Sequence, residues 1–295
     1  MTSIYRFFIA IVLLYALAAA LPAAAQQEPT PDLPDDRATD DASLVASPTS
    51  GTVTGIQALH SVYLPLVGMP ASPNPFGFDV RTYAPDTVMP LVVEASPRWS
   101  RAGDVLWALV EPVRGGGYRW EAIADVERNV RRLRAAGIEP TLVVQWSPSW
   151  AQSIPGKLCS APRPDTIAEF AAFMRAAAQR FSSGDLRVDY WEIWNEPDFR
   201  PDEVKGDEGF GCWATYEAPY YGGDYYGRVL RAVYPAVKAG NPNAQVWGGA
   251  LMHRWPDDTD TLGFVRGMLA AGAANSFDAL SCHAYGEWGA GDRLL

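Results

Sequence analysis

At 295 residues and 32.1 kDa the chain is long enough for one large domain or two small ones. Hydrophobic residues make up 48% and charged residues 20%, the balance of an ordinary soluble globule. A net charge of −10 and a pI near 4.8 leave no basic footprint for phosphates, which excludes nucleic acid as a partner.

The first 25 residues read as a secretory signal peptide. Arg6 precedes an apolar run from Phe7 to Leu21, and Ala23-Ala24-Ala25 supplies the small residues of a cleavage site. The run is slightly short for a membrane span, so the expectation is a secreted chain, extracellular or periplasmic, with no membrane attachment after cleavage. Residues 26–50 are rich in Pro, Asp, Thr and Ser and poor in large apolar side chains, the composition of a disordered linker. Residues 51–75, with the apolar patch "HSVYLPLV", form an extended lead-in to a domain spanning 76–295.

From Phe76 onward short β-rich runs alternate with amphipathic helices. "FGFDVRTY" and a stretch from Arg98 to Leu109 are the first expected strands. Ile123, Val126, Val130 and Leu133 follow helical spacing, with Gly137 as the stop. "TLVVQWSP" (141–148) is an apolar run typical of a strand covered on both faces. Thr166 and Glu169 suggest a capping box before a helix carrying Ile167, Phe170, Met174 and Phe181. "VDYWEIWNEP" follows, then a helix marked by Tyr226, Val229, Leu230, Val233, Tyr234 and Val237, with Pro235 inside it. "AQVWGGAL" (244–251) and "FDALSCHAY" (277–285) are two further strands, and Leu262, Val265, Met268 and Leu269 mark the helix between them.

Repeated βα units with buried parallel strands leave a doubly wound sheet or a (β/α)8 TIM barrel. No Gly-rich phosphate loop follows an early strand, and polar residues stand at several strand C-termini, the face where barrels carry their sites. The expected fold class is therefore α/β, a (β/α)8 barrel represented by its first six βα units.

Three cysteines are present. An oxidising compartment allows one disulfide; Cys159 and Cys212 fall in loops and are the candidate pair, whereas Cys282 lies in a strand-like run and reads as a buried thiol. Three histidines without C-x-x-C or H-x-x-x-H spacing give no metal site.

The stretch "YWEIWNEPD" (Tyr190 to Asp198) ends an apolar strand on an amide and a carboxylate. Strand alternation puts Glu192, Trp194 and Glu196 on the barrel interior. Glu196 then lies at the rim, with Glu192 about 13 Å deeper as an internal carboxylate paired with an arginine. A rim carboxylate in an aromatic-lined pocket suits general acid work. The aromatics would be Trp146, Trp150 and Trp194, with Trp213 or Tyr216 from the following loop. Their flat apolar faces suit the C–H faces of sugars, although each Trp taken singly reads as a packing residue.

"WEIWNEP" resembles the acid/base motif at the end of strand four in clan A glycoside hydrolases, which are (β/α)8 barrels. "WALVEPVRGGGYRWEAIADV", "GIEPTLVVQWSPSWA", "YPAVKAGNPNAQVWGGAL" and "SCHAYG" resemble the corresponding segments of families 39, 5 and 42 from strand two to strand six. The resemblance implies that Glu196 is the general acid/base and Asn195 the donor to a sugar 2-hydroxyl. It places His283 and Tyr285 on the site wall and makes Arg101 the arginine that holds the nucleophile carboxylate. On their own residues, Arg101 also reads as a surface arginine and His283 as a satisfied core histidine.

A retaining glycosidase needs two carboxylates about 5–5.5 Å apart. In this clan the second is a Glu on strand seven, which "FDALSCHAY", as the sixth strand, does not reach; Glu287 belongs to the loop after it. The sequence therefore reads as a truncated frame or as a short protein without the nucleophile. The expected function is a secreted retaining glycoside hydrolase acting on O-glycosidic bonds of an oligo- or polysaccharide; the alternative is a carbohydrate-binding pseudoenzyme. The mechanism implies no cofactor. No N-x-S/T acceptor occurs.

Overall fold

The computed structural model describes residues 76–79, 88–204, 211–254 and 259–285, all within one unit, Leu66–Leu295. The expected signal peptide, linker, lead-in and Glu287 lie outside the described residues, as does the second half of "FGFDVRTY". Six strands run parallel in chain order: β1 (Gly77–Asp79), β2 (Trp99–Leu106), β3 (Glu139–Gln145), β4 (Tyr190–Ile193), β5 (Gln245–Arg254) and β6 (Ala279–Tyr285). They form half of a barrel, with helices on its outer face. Those helices are α1 (Met89–Ala95), α2 (Trp107–Val110), α3 (Ala124–Ala135), α4 (Ile167–Arg180), α5 (Gly223–Gly240) and α6 (Thr259–Ala270). Among the described residues no helix is long and apolar enough to cross a membrane.

The core fills the space between the sheet's outer face and the helices. Val126, Val130 and Leu133 of α3 are buried at helical spacing, and Phe170, Phe173 and Met174 of α4 continue that layer. Trp107, Trp191, Trp194, Tyr226 and Phe264 are its other large members. α5 and α6 approach so closely that a Cβ on Gly223 would fall 1.8 Å from the carbonyl oxygen of Phe264, so only glycine fits there.

Four expectations about elements change. β2 ends at Leu106, because Trp107 to Val110 turn into the short helix α2 and carry Trp107 into the core. Thr166 forms no capping box: its hydroxyl donates to the carbonyl of Arg163, and Glu169 instead pairs with Arg114. On α6 the covered face runs through Phe264 and Met268, and Leu262 is exposed. Cys282 is also exposed, on the strand that ends the strand order among the described residues.

Two strands carry bulges. In β2 the register slips between Arg101 and Gly103, and the freed carbonyl of Ala102 accepts from Asn129 Nδ2 of α3 at 3.2 Å. In β5 it slips between Gly249 and Leu251, with Gly249 at φ +101 and Ala250 at φ +54. A Cβ on Gly249 would meet Ser281 O at 2.9 Å, which fixes glycine at that bend.

Candidate active site

Strand β4 stops at Ile193, and the next three residues explain how an amide and a carboxylate reach one site. Trp194 and Glu196 both adopt left-handed backbone conformations, φ +71 and φ +50. These interrupt strand alternation. Trp194 swings into the helix layer, fully buried against Phe170 and Trp213. Trp194 is thus a core residue, contrary to the alternation argument, and Trp213 joins it there.

Asn195 and Glu196 face a shared polar cluster instead. Arg101 donates from Nε to Glu192 Oε2 at 2.9 Å, forms a second, shorter contact to the same oxygen from its terminal nitrogen, and reaches Asn195 Oδ1 at 3.3 Å. One guanidinium contacting both residues brings the Glu192 carboxylate and the Asn195 amide oxygen into one hydrogen-bonded group. Glu192 is the internal, arginine-paired carboxylate that the sequence suggests. Arg101 also lies 3.5 Å from Asp79 of β1. Because Arg101 occupies Oδ1, the NH2 is the donor end of the Asn195 amide.

Glu196 Oε1 lies 2.8 Å from Nδ1 of His283 on β6, and both side chains are largely buried. The Glu196 amide donates to the carbonyl of Ala250 at the β5 bulge, at 3.0 Å. Tyr226, fully buried on α5, ties the same level together. Its hydroxyl donates to Ile193 O at 2.5 Å and accepts from Gly249 N at 2.7 Å. Burial pushes its phenol far above the usual tyrosine range. Asp198 closes the far side of the turn. Its carboxylate accepts from Met252 N at 2.8 and 3.0 Å and from the Thr261 hydroxyl at 2.8 Å.

The other expected residues fall elsewhere. Trp146 is half-buried with a left-handed backbone at the end of β3. Trp150 packs edge-on against Trp107 and donates its indole N–H to the carbonyl of Glu111 at 3.0 Å. Tyr216 is exposed, under the guanidinium of Arg200. Tyr285 ends β6, and its side chain lies outside the described residues. The aromatic rings that line a cavity of about 210 Å³ together with Arg101, Glu192 and His283 are Phe78, Trp99 and Trp247; Asn195 and Glu196 do not line it. Cys159 and Cys212 are joined by a disulfide.

Asp79, Asp198, Tyr226 and Thr261 were not among the expected site residues. Asp198 alone left a trace, as the acid directly after N-E-P.

No protein-family model and no curated protein matches the chain. Solved structures do. A GH30 endoxylanase from Clostridium papyrosolvens matches at 17% identity and a TM-score of 0.52, over 72% of this chain and 49% of that one. The fold is the six-strand part of the (β/α)8 barrel. A family 39 glycoside hydrolase from Bacteroides cellulosilyticus matches at 22% identity and a TM-score of 0.47, over 66% of this chain and 34% of that one. A GH39 enzyme from Xanthomonas axonopodis pv. citri matches at 20% and 0.46, over 72% and 40%. This partial barrel spans between 34% and 49% of the length of these three structures. With that fold, the Asn195, Glu196 and His283 cluster stands at the C-terminal ends of the strands, the face on which such barrels carry their sites.

Proposed function

We propose that the chain carries the acid/base residue of a secreted retaining glycoside hydrolase acting on O-glycosidic bonds of an oligo- or polysaccharide. The observation that carries this reading is the contact of Glu196 with His283 beside the Asn195 amide, at the C-terminal rim of the half-barrel. Glu196, as the carboxylic acid, gives its proton to the leaving glycosidic oxygen while a nucleophilic carboxylate bonds the anomeric carbon. As the carboxylate it then takes a proton from water, whose oxygen displaces the enzyme carboxylate. Asn195 donates to the sugar 2-hydroxyl with its free amide end. His283 accepts or returns a hydrogen bond to Glu196 as the proton leaves and comes back.

Glu192 and Asp198 flank Glu196, but each is committed: Glu192 to Arg101, and Asp198 to Met252 N and Thr261. Neither is offered as the nucleophile, which would come from a strand following β6. Those commitments also favour a second reading in which these six strands hold a saccharide without cleaving it.

The test is Glu196→Gln in the chain extended to the stop codon of its reading frame. The hydrolase reading expects turnover to fall about 10²–10⁴-fold, with saccharide affinity little changed. Saccharide binding without turnover in either form supports the second reading. Turnover that survives the substitution rejects Glu196 as acid/base.

A further inference from the structure

The turn bearing Asn195 and Glu196 is anchored from two sides by groups outside the reacting cluster. On one side Asp198 fastens it to the end of β5 and the start of α6. On the other it is fastened to the segment Gly211–Cys212. The Gly211 amide donates to the carbonyl of Asn195 at 3.1 Å, the Cys212 amide to that of Phe199 at 2.9 Å, and the Phe199 amide to that of Glu196 at 3.0 Å. Three backbone hydrogen bonds therefore lead from Cys212 to both candidate site residues.

Cys212 is itself held by its disulfide to Cys159, which lies in the loop after β3, 53 residues earlier. The residue before Cys159, Leu158, accepts at its carbonyl from the Ser147 amide at 3.0 Å, so this loop is tied to the end of β3. Cys159, Val204 and Cys212, with Phe199 against them, form a small apolar cluster separate from the main core. The fit is tight: a Cβ on Gly211 would fall 2.7 Å from Phe199 Cβ. Glu196 sits in a left-handed conformation that a side-chain-bearing residue avoids, so its geometry persists only while neighbouring contacts over-determine it.

We propose that the Cys159–Cys212 disulfide is a positioning device for the Asn195–Glu196 turn. By linking the loops after β3 and β4 it fixes the two amides that hold Asn195 and Phe199, and so sets the Glu196–His283 contact. Asp198 keeps its own anchor when the disulfide is lost, so the effect is loosening at the turn, not unfolding of the sheet. The positioning claim stands on structure alone; its consequence for turnover rests on the glycosidase reading.

The experiment compares the oxidised chain with Cys159→Ala/Cys212→Ala. One readout is amide hydrogen exchange at positions 199, 211 and 212, with Val143 in β3 as an internal control. The other is the change that Glu196→Gln produces in the imidazole nitrogen shifts of His283. The proposal expects exchange at least about tenfold faster at the three amides and unchanged at Val143, together with a smaller His283 response to Glu196→Gln. In the extended chain it expects kcat to fall about tenfold with KM unchanged. Unaltered exchange and a full His283 response overturn it. Failure of every chain to turn over a saccharide counts against the glycosidase reading alone, because the His283 response reports positioning independently. If the double variant does not fold, the wild-type chain with its Cys159–Cys212 disulfide reduced under native conditions carries the test. Faster exchange at Gly211 with a reduced His283 response supports the proposal; faster exchange with a full response overturns it.

Discussion

Two left-handed residues, Trp194 and Glu196, interrupt strand alternation, so that Trp194 enters the helix layer while Asn195 meets Arg101 and Glu196 meets His283. Their conformations have no signature in the residue types, which is why alternation misassigned Trp194. Asn195 and Glu196 were legible because an amide and a carboxylate have no packing reason to end an apolar strand. At this scale Arg101 is the hub. Its contacts to Glu192, Asp79 and Asn195 make Glu192, buried at 2% exposure, dependent on a single guanidinium. Arg101→Met leaves that carboxylate without its partner and is expected to cost about 3–5 kcal/mol in urea unfolding. Adding Glu192→Gln should recover much of the loss. Tyr225 and Tyr234 on α5 add to buried Tyr226 in setting an alkaline limit. Burial, the larger effect, raises Tyr225 to about 12, with Arg228 opposing it; burial and then Asp278 raise Tyr234 to about 12. Both phenols are neutral in the fold and ionise more easily when unfolded. Their contribution is therefore complete below about pH 10 and is lost as pH rises through about 12. Melting temperatures across that range should fall, and Tyr234→Phe should remove part of the fall.

Elements with a strong apolar period were readable. β3 is a continuous buried run, and α3 buries Val126, Val130 and Leu133 as its spacing requires. The misreadings share one cause, competition from tertiary partners. Glu169 is drawn to Arg114, away from the Thr166 amide, and α6 turns Phe264 inward because glycines on α5 admit its backbone. The bulges in β2 and β5 were invisible apart from their glycines, yet they aim Arg101 and the Ala250 carbonyl at the site. Tyr226 bridges the levels of β4 and β5 with one buried hydroxyl. Tyr226→Phe strands the Gly249 amide in the core and is expected to cost about 1–3 kcal/mol. Denaturant midpoints with an unchanged slope would check it.

For the molecule as a whole, the barrel class followed from the alternation of strands and helices, and the six-strand sheet agrees with it. The covering of the sheet was harder to foresee. A cysteine in an apolar run reads as buried, but burial of a β6 residue depends on what packs against that edge, which pattern alone does not specify. Cys282 is the free thiol among the described residues, whereas Cys159 and Cys212 are bonded to each other. Thiol labelling of the native chain should therefore consume one equivalent rapidly. If residues following β6 complete the barrel, the extended chain should protect that thiol.

The central claim is that Glu196 protonates a leaving oxygen, and the dependence of rate on the leaving group tests it most directly. The measurement compares the extended chain with its Glu196→Gln variant on two aryl glycosides of one sugar, one with a strongly acidic phenol and one with a weakly acidic phenol. If Glu196 is the acid, the variant loses about 10²–10⁴-fold in its glycosylation rate on the weakly acidic phenol. It loses far less on the strongly acidic one, which departs without a proton. Equal losses on both, or no loss on either, would contradict the account.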